Sequence, residues 1–339
     1  MDLHIVWFAL LTILLAGYAV LDGFDLGVGI LHLLARTDRE RRLFLNAIGP
    51  IWDGNEVWLV TFVGALFAAF PLAYATVLST FYLPAIFLLF MLIFRAVSIE
   101  FRSKQPWPIW RAWWDFSFFA ASLGASLVFG LLLGNALLGI PIDSAYRFQG
   151  GLTALFSPFA LLVGAAVAVT FAMHGAIYLH LKIPDEDLRH RLRNWMWHAW
   201  GLFLVFYLLG TIYTLLYIPR AADNARSLPW AGAIVVISVL AIANIPRALY
   251  RNRSFQAMAS STVAIFSLVV LFSLVLWPNL ITSSLQAENS LTIYRAASSE
   301  GTLRLMLFIA LLGMPFVLLY TAVVYWTFRG RVELTDVSY

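Results

Sequence analysis

The sequence predicts an all-helical integral membrane protein with nine transmembrane helices, its N-terminus outside and its C-terminus in the cytoplasm. Three observations carry this. The 339 residues are 62% hydrophobic and only 12% charged, outside the usual range of soluble domains. Apolar runs of about 20 residues, the length a bilayer core requires, recur along the whole chain. Lysine and arginine fall mostly in alternate loops, as the positive-inside rule expects.

The runs cover 5–34, 51–75, 78–100, 114–139, 157–181, 197–218, 230–249, 257–277 and 303–327. Each must be helical, because an open sheet would leave backbone groups unpaired in lipid. Almost no loop separates the second and third runs, so Tyr74 to Thr76 is expected to make a tight connection beside Pro71. Arg36–Arg42, Arg95–Arg111, Lys182–Arg193, Arg247–Arg253 and Arg329–Arg331 collect most of the 22 basic residues. These loops are read as cytoplasmic. Trp107, Trp110, Trp195 and Trp197 crowd that boundary, while Trp7, Trp230 and Trp277 mark the outer one, the expected interfacial belt. Ser299 followed by Glu300 reads as a helix start. One polytopic domain, residues 1–339, accounts for the chain. The first apolar run lacks a basic leader and a small-residue cleavage site, so it reads as a span.

Composition also excludes chemistry. Without cysteine there are no disulfides, thiolate metal sites, iron–sulfur clusters or thioether-linked haem. The net charge of +4 is spread over short loops and forms no nucleic-acid patch. Gly27-x-Gly29 lies inside an apolar helix, follows no strand and lacks a third glycine, so it is no phosphate loop.

The informative stretch runs from Leu15 to Trp58. Asp22 and Asp25, spaced i, i+3, share one face of the first helix. Gly23 and Gly27 form a small-xxx-small pair that lets another backbone approach. Asp25 lies about nine residues, or ~13 Å, before the helix end. Asp53 and Glu56 begin the second helix, which enters from the same side. Ionised groups in hydrocarbon are costly and persist where they face protein or water. The four acids are therefore expected to face one another in the cytoplasmic half and to relay protons. A structural reading stands beside this one, in which they cap helices or neutralise Arg36, Arg41 or Arg42. Asp115 begins the fourth helix, where a carboxylate suits the helix dipole. His174, the histidine deepest in a span, could ligate haem with a partner such as Met173 or serve as a hydrogen-bonded packing residue.

Two segments carry a family resemblance: Asp22-Gly23-Phe24-Asp25-Leu26-Gly27-Val28-Gly29 and Trp52-Asp53-Gly54-Asn55-Glu56-Val57-Trp58-Leu59. Phe94–Arg102 and Ser290–Ser299 add to it. The chain resembles subunit II of the cytochrome bd quinol oxidases over nearly its whole length. The resemblance implies a pseudo-symmetric heterodimer with subunit I, in which that partner holds haems b558, b595 and d and oxidises quinol. It implies that this chain carries no haem, no catalytic residue and no metal ligand. Its expected work is to stabilise subunit I and to supply a cytoplasmic proton path for the four-electron reduction of O2 to water. Asp53 falls on the family's proton-path carboxylate, followed by Glu56, Asp25 and Asp22. Some members hold a structural quinone in this subunit, and small single-span accessory subunits can attach. Ile51 stands where some relatives have a histidine, so no titratable group is available there. The implied location is the bacterial cytoplasmic (inner) membrane. A proton-coupled secondary transporter is the alternative; it would call for inverted repeats and a helix broken at midplane.

Overall fold

Twelve helices follow one another in the computed structural model, which describes residues 2–228 and 230–334. Eight of them are long and apolar enough to cross a membrane, and a bent pair makes a ninth span if counted as one. Helix α1 (Leu3–Leu31) opens the chain. The Asp2 carboxylate caps it, accepting from the His4 N–H at 2.9 Å. A short 3-10 turn leads to α2 (Asp38–Ile48). The arginine-rich segment is thus a helix start, with Thr37 Oγ accepting from the Glu40 N–H and Glu40 accepting from the Arg36 N–H. That reciprocal cap resembles a capping box shifted outward.

The second and third apolar runs resolve differently from expectation. Helix α3 (Trp52–Ala69) ends at Phe70, and α4 (Pro71–Thr80) turns away from it by 120°. Helix α5 (Tyr82–Phe101) then starts after Phe81. Tyr74 to Thr76 lie inside α4, so the bend falls at Phe70 instead, and the helix is interrupted again at Phe81. The cause is Pro71, which has no N–H to donate to the preceding turn and is tolerated at a first helical position. Ser298 seals the break: its N–H donates to Ala69 O at 2.9 Å and its hydroxyl to Ala68 O at 2.7 Å.

The rest of the bundle is α6 (Pro108–Leu138), α7 (Pro158–Lys182), α8 (Glu186–Tyr217), α9 (Pro219–Ser227), α10 (Ala231–Tyr250), α11 (Ser254–Leu276) and α12 (Glu300–Thr327). Ser299 caps α12 as expected, accepting from the Thr302 N–H. Between α11 and α12, β1 (Asn279–Ile281) and β2 (Leu291–Thr292) pair antiparallel.

Helix α1 is the axle, packed by α3, α6, α7 and α11. Its crossing with α7 is close because both sides are glycine. A Cβ on Gly27 would stand 1.9 Å from Phe171 O, and one on Gly175 would stand 2.5 Å from Gly27 C. Gly23 instead faces the Phe171 ring. One core gathers Phe24, Val28, Phe44, Ile48, Met173 and Ile177 at the end that carries α2. A second gathers Trp7, Phe70, Ile281 and Leu303 at the opposite end. Trp7 is part of this core rather than a belt residue: it is buried, and its indole N–H donates to Leu303 O at 2.9 Å.

Candidate functional site

Arg95 on α5 reaches across to α1 and α3 and joins two of the expected acids. Its Nη1 donates to Asp22 Oδ1 at 2.7 Å, and its Nη2 donates to Glu56 Oε2 at 3.0 Å. Asp22 and Arg95 are both 0% exposed, whereas the Glu56 side chain is 21% exposed. Three helices are needed for this arrangement. The i, i+3 spacing of Asp22 and Asp25 puts both on the face of α1 that α3 covers.

Asp25 takes a different partner. Its Oδ2 accepts from Asn55 Nδ2 at 2.7 Å, and Asn55 Oδ1 accepts from the Tyr325 hydroxyl at 2.8 Å. A continuous hydrogen-bonded line therefore runs from α12 through α3 to α1. Pro50, Gly54, Asn55, Tyr320 and Tyr325 border a small cleft of about 20 Å³ at its outer end, about one water in size.

Several polar atoms within this cluster are buried without a hydrogen-bond partner: Asp22 Oδ2, Asp25 Oδ1 and Arg95 Nε. Tyr18 lies one turn before Asp22 on α1, close enough to interact with its charge. Buried groups of this kind are ordinarily satisfied. Their collection in one place makes a polar cluster between apolar helices.

The structure therefore brings Asp22, Asp25 and Glu56 together, while Asp53 stands apart. Asp53 is exposed on the isolated chain, one turn before Glu56 on α3. It makes no hydrogen bond or ion pair among the described residues, though its charge reaches Glu56. Glu56 in turn opens on an apolar groove of about 380 Å³ between α3 and α5, lined by Leu59, Val63, Leu89, Leu92 and Ala96. Sequence reasoning missed Asn55, Tyr325 and Arg95 as members of the site. Asn55 lies within the quoted Trp52–Leu59 motif, and Arg95 was visible as a lone charge near the end of an apolar run; Tyr325, distant in sequence, had no local signal.

A second polar cluster lies where α1 ends. Asp115 is 1% exposed and receives Arg102 Nε at 2.5 Å and Arg41 Nη1 at 2.8 Å, with His32 Nε2 at 2.6 Å. Arg102 and Arg111 both reach Asp38. This network ties α2, α5 and α6 to the end of α1. It is why Asp115 is more than a helix-dipole residue.

His174 offers nothing to iron. Its Nδ1 lies 2.7 Å from Ser261 Oγ and its Nε2 lies 3.1 Å from Val20 O. Both ring nitrogens are thus engaged, so this residue does not fit a haem. His32 and His180 each have one ring nitrogen on a protein partner, Nε2 on Asp115 and Nδ1 on Ser254 respectively.

Comparison with known proteins decides the family. The family model described as cytochrome bd terminal oxidase subunit II matches residues 3–328. The chain belongs to that family. It is 33% identical to cytochrome bd-I ubiquinol oxidase subunit 2 of Escherichia coli strain K12 over 99% of this chain and 97% of that protein. It is 34% identical to cytochrome bd ubiquinol oxidase subunit 2 of Bacillus subtilis, over 98% and 97%. The fold is similar to that of the bd oxidase structure from Geobacillus thermodenitrificans, with a TM-score of 0.79 and 20% identity over 97% of this chain and 99% of that one. This cytochrome bd subunit II is therefore a component of a terminal oxidase, an oxidoreductase complex, and a multi-pass protein of the bacterial inner membrane. Membership also removes the footing of the transporter alternative.

Proposed function

We propose that this subunit II supports quinol oxidation and O2 reduction in two ways: it scaffolds a haem-bearing subunit I, and it carries protons from the cytoplasm towards the site of O2 reduction. The observation that carries the second role is the cluster of buried Asp22 and Asp25 with half-buried Glu56, in which the Arg95 guanidinium binds Asp22 and Glu56 and Asn55 binds Asp25. Carboxyl groups that outnumber their counter-ion, beside unpaired polar atoms and a hydrogen-bonded line to Tyr325, make an arrangement suited to holding and passing a proton. Asp53, exposed next to Glu56, would be the entry or hand-over group, facing the partner. In this reading Asn55 orients Asp25, and Arg95 holds Asp22 and Glu56 in place.

The haems, b558, b595 and d, would reside in subunit I, which would also oxidise the quinol. Haem chemistry supplies the O2 reduction there, and no residue of this chain is assigned a step on it. A structural quinone tail would fit the apolar groove beside Glu56, where that carboxyl is the lone acidic neighbour. Small single-span accessory subunits would attach to the complex elsewhere. The N-terminus would lie outside and the C-terminus in the cytoplasm, in keeping with the basic loops.

The test is Asp53→Asn in the assembled oxidase. Because Asp53 is exposed and makes no ion pair among the described residues, assembly and haem spectra should stay near wild type. Oxygen consumption should fall about tenfold or more, a barrier of roughly 1.4 kcal/mol. Unchanged oxygen consumption would end the proton role of Asp53, and loss of haem would make the residue structural.

A further inference from the structure

The turn joining α10 to α11 is built from arginines that make no ion pair among the described residues. Arg247 stands in the last turn of α10, and Arg251 and Arg253 flank Asn252 in the connection. The turn is well determined by hydrogen bonds: Arg251 N–H to Arg247 O, Asn252 N–H to Leu249 O, and Arg253 N–H to Ala248 O at 2.9 Å. Asn252 takes a left-handed conformation, φ 55°, which asparagine tolerates better than most residues. Arg193 of α8 clamps it from the side, donating to Asn252 Oδ1 at 2.5 Å and to Tyr250 O at 3.3 Å.

Among the described residues, none of Arg193, Arg247, Arg251 and Arg253 is paired with a carboxylate. This sets them apart from Arg39, Arg41, Arg102, Arg189 and Arg191, all ion-paired at the same end of the bundle. Arg247, Arg251 and Arg253 are exposed. The turn lies where two apolar spans meet the boundary, so its surroundings include the phosphate layer of the bilayer. Tyr250 and Phe255 flank it and are 76% and 79% exposed, the placement of rings that sit at headgroup level. The N-terminus of α11 adds its own partial positive charge.

We propose that this turn is a seat for the phosphate of an acidic phospholipid, with Arg247, Arg251 and Arg253 as the binding groups and Arg193 holding the turn in place. Basic clusters at the ends of transmembrane helices bind such headgroups. The site lies on α8, α10 and α11, away from the α1–α3–α5 carboxylate cluster, so it does not depend on the proton reading.

The test uses the intact oxidase in nanodiscs of phosphatidylglycerol and phosphatidylethanolamine, with retained lipid measured by native mass spectrometry. Wild type should keep phosphatidylglycerol preferentially. R251Q/R253Q should lose affinity by about fivefold per arginine removed. R251K/R253K should keep most of it, and Arg147→Gln, at the opposite end of the bundle, should change nothing. If the glutamine pair fails to assemble, Arg253→Gln is compared with R251K/R253K instead. Equal phosphatidylglycerol enrichment in wild type and the glutamine variants would overturn the proposal. Displacement of the lipid by millimolar inorganic phosphate would also overturn it, in favour of a free-phosphate site.

Discussion

Arg95 and Asp22 meet at 2.7 Å with neither side chain reaching solvent. They come from α5 and α1, 73 residues apart in the chain. A buried pair of this kind contributes little net stability compared with apolar residues, but removing one partner leaves an uncompensated charge. That asymmetry governs what substitution should do.

Arg95→Gln should destabilise the assembled subunit by about 3–5 kcal/mol, because Asp22 and Glu56 both lose their cation. The loss would be read as a lower yield of complex and a lower midpoint of thermal inactivation. Asp22→Asn in the Arg95→Gln background should recover part of that loss. Equal stability of wild type and Arg95→Gln would refute the account of this pair.

Asn55 is the link that joins Asp25 to Tyr325. Asn55→Leu should slow oxygen consumption by about tenfold or more and leave Asp25 Oδ2 without a donor. Tyr325→Phe removes the outer bond alone and should have the smaller effect. Equal and full activity in both variants, in complexes with normal haem spectra, would show that protons do not use this line.

Gly27 and Gly175 set the distance between α1 and α7. Gly27→Ala meets backbone rather than a movable side chain, so the helices must separate. Overpacking of this type costs about 1–3 kcal/mol or more. Gly232 on α10, with nothing within 4 Å of a Cβ, should accept alanine without loss. Comparing the thermal stability of the two variants checks the crossing; similar values would contradict it.

His174 should act as a packing residue. His174→Leu leaves Ser261 Oγ and Val20 O without their ring partner, at about 1–3 kcal/mol. Haem content per assembled complex should be unchanged. A haem band lost in proportion to this substitution, in complex that is otherwise intact, would reinstate it as a ligand.

Much of the architecture was legible in composition and periodicity. Lipid admits only closed hydrogen bonding, so each apolar run long enough to span had to be a helix. The Ser299 cap is local chemistry and needed no fold to be read. The bend at Phe70 was missed because the apolar run continues through it; only Pro71 marked the place, and a proline at a first helical position is compatible with several geometries. Trp7 looked like a boundary residue because sequence shows its distance from the helix end, not the outer segment folded over it.

The chain alone determined that acids would lie inside the first two spans near one end, since side-chain type and helical spacing place them there. It also determined the family. Only the tertiary structure decided which of them meet. Arg95 draws Asp22 and Glu56 together, Asn55 takes Asp25, and Asp53 is left facing outward. The reason is physical: spacing within one helix fixes a common face, whereas the rotation and separation of neighbouring helices follow from contacts such as Gly27 against Gly175, which lie far apart in sequence.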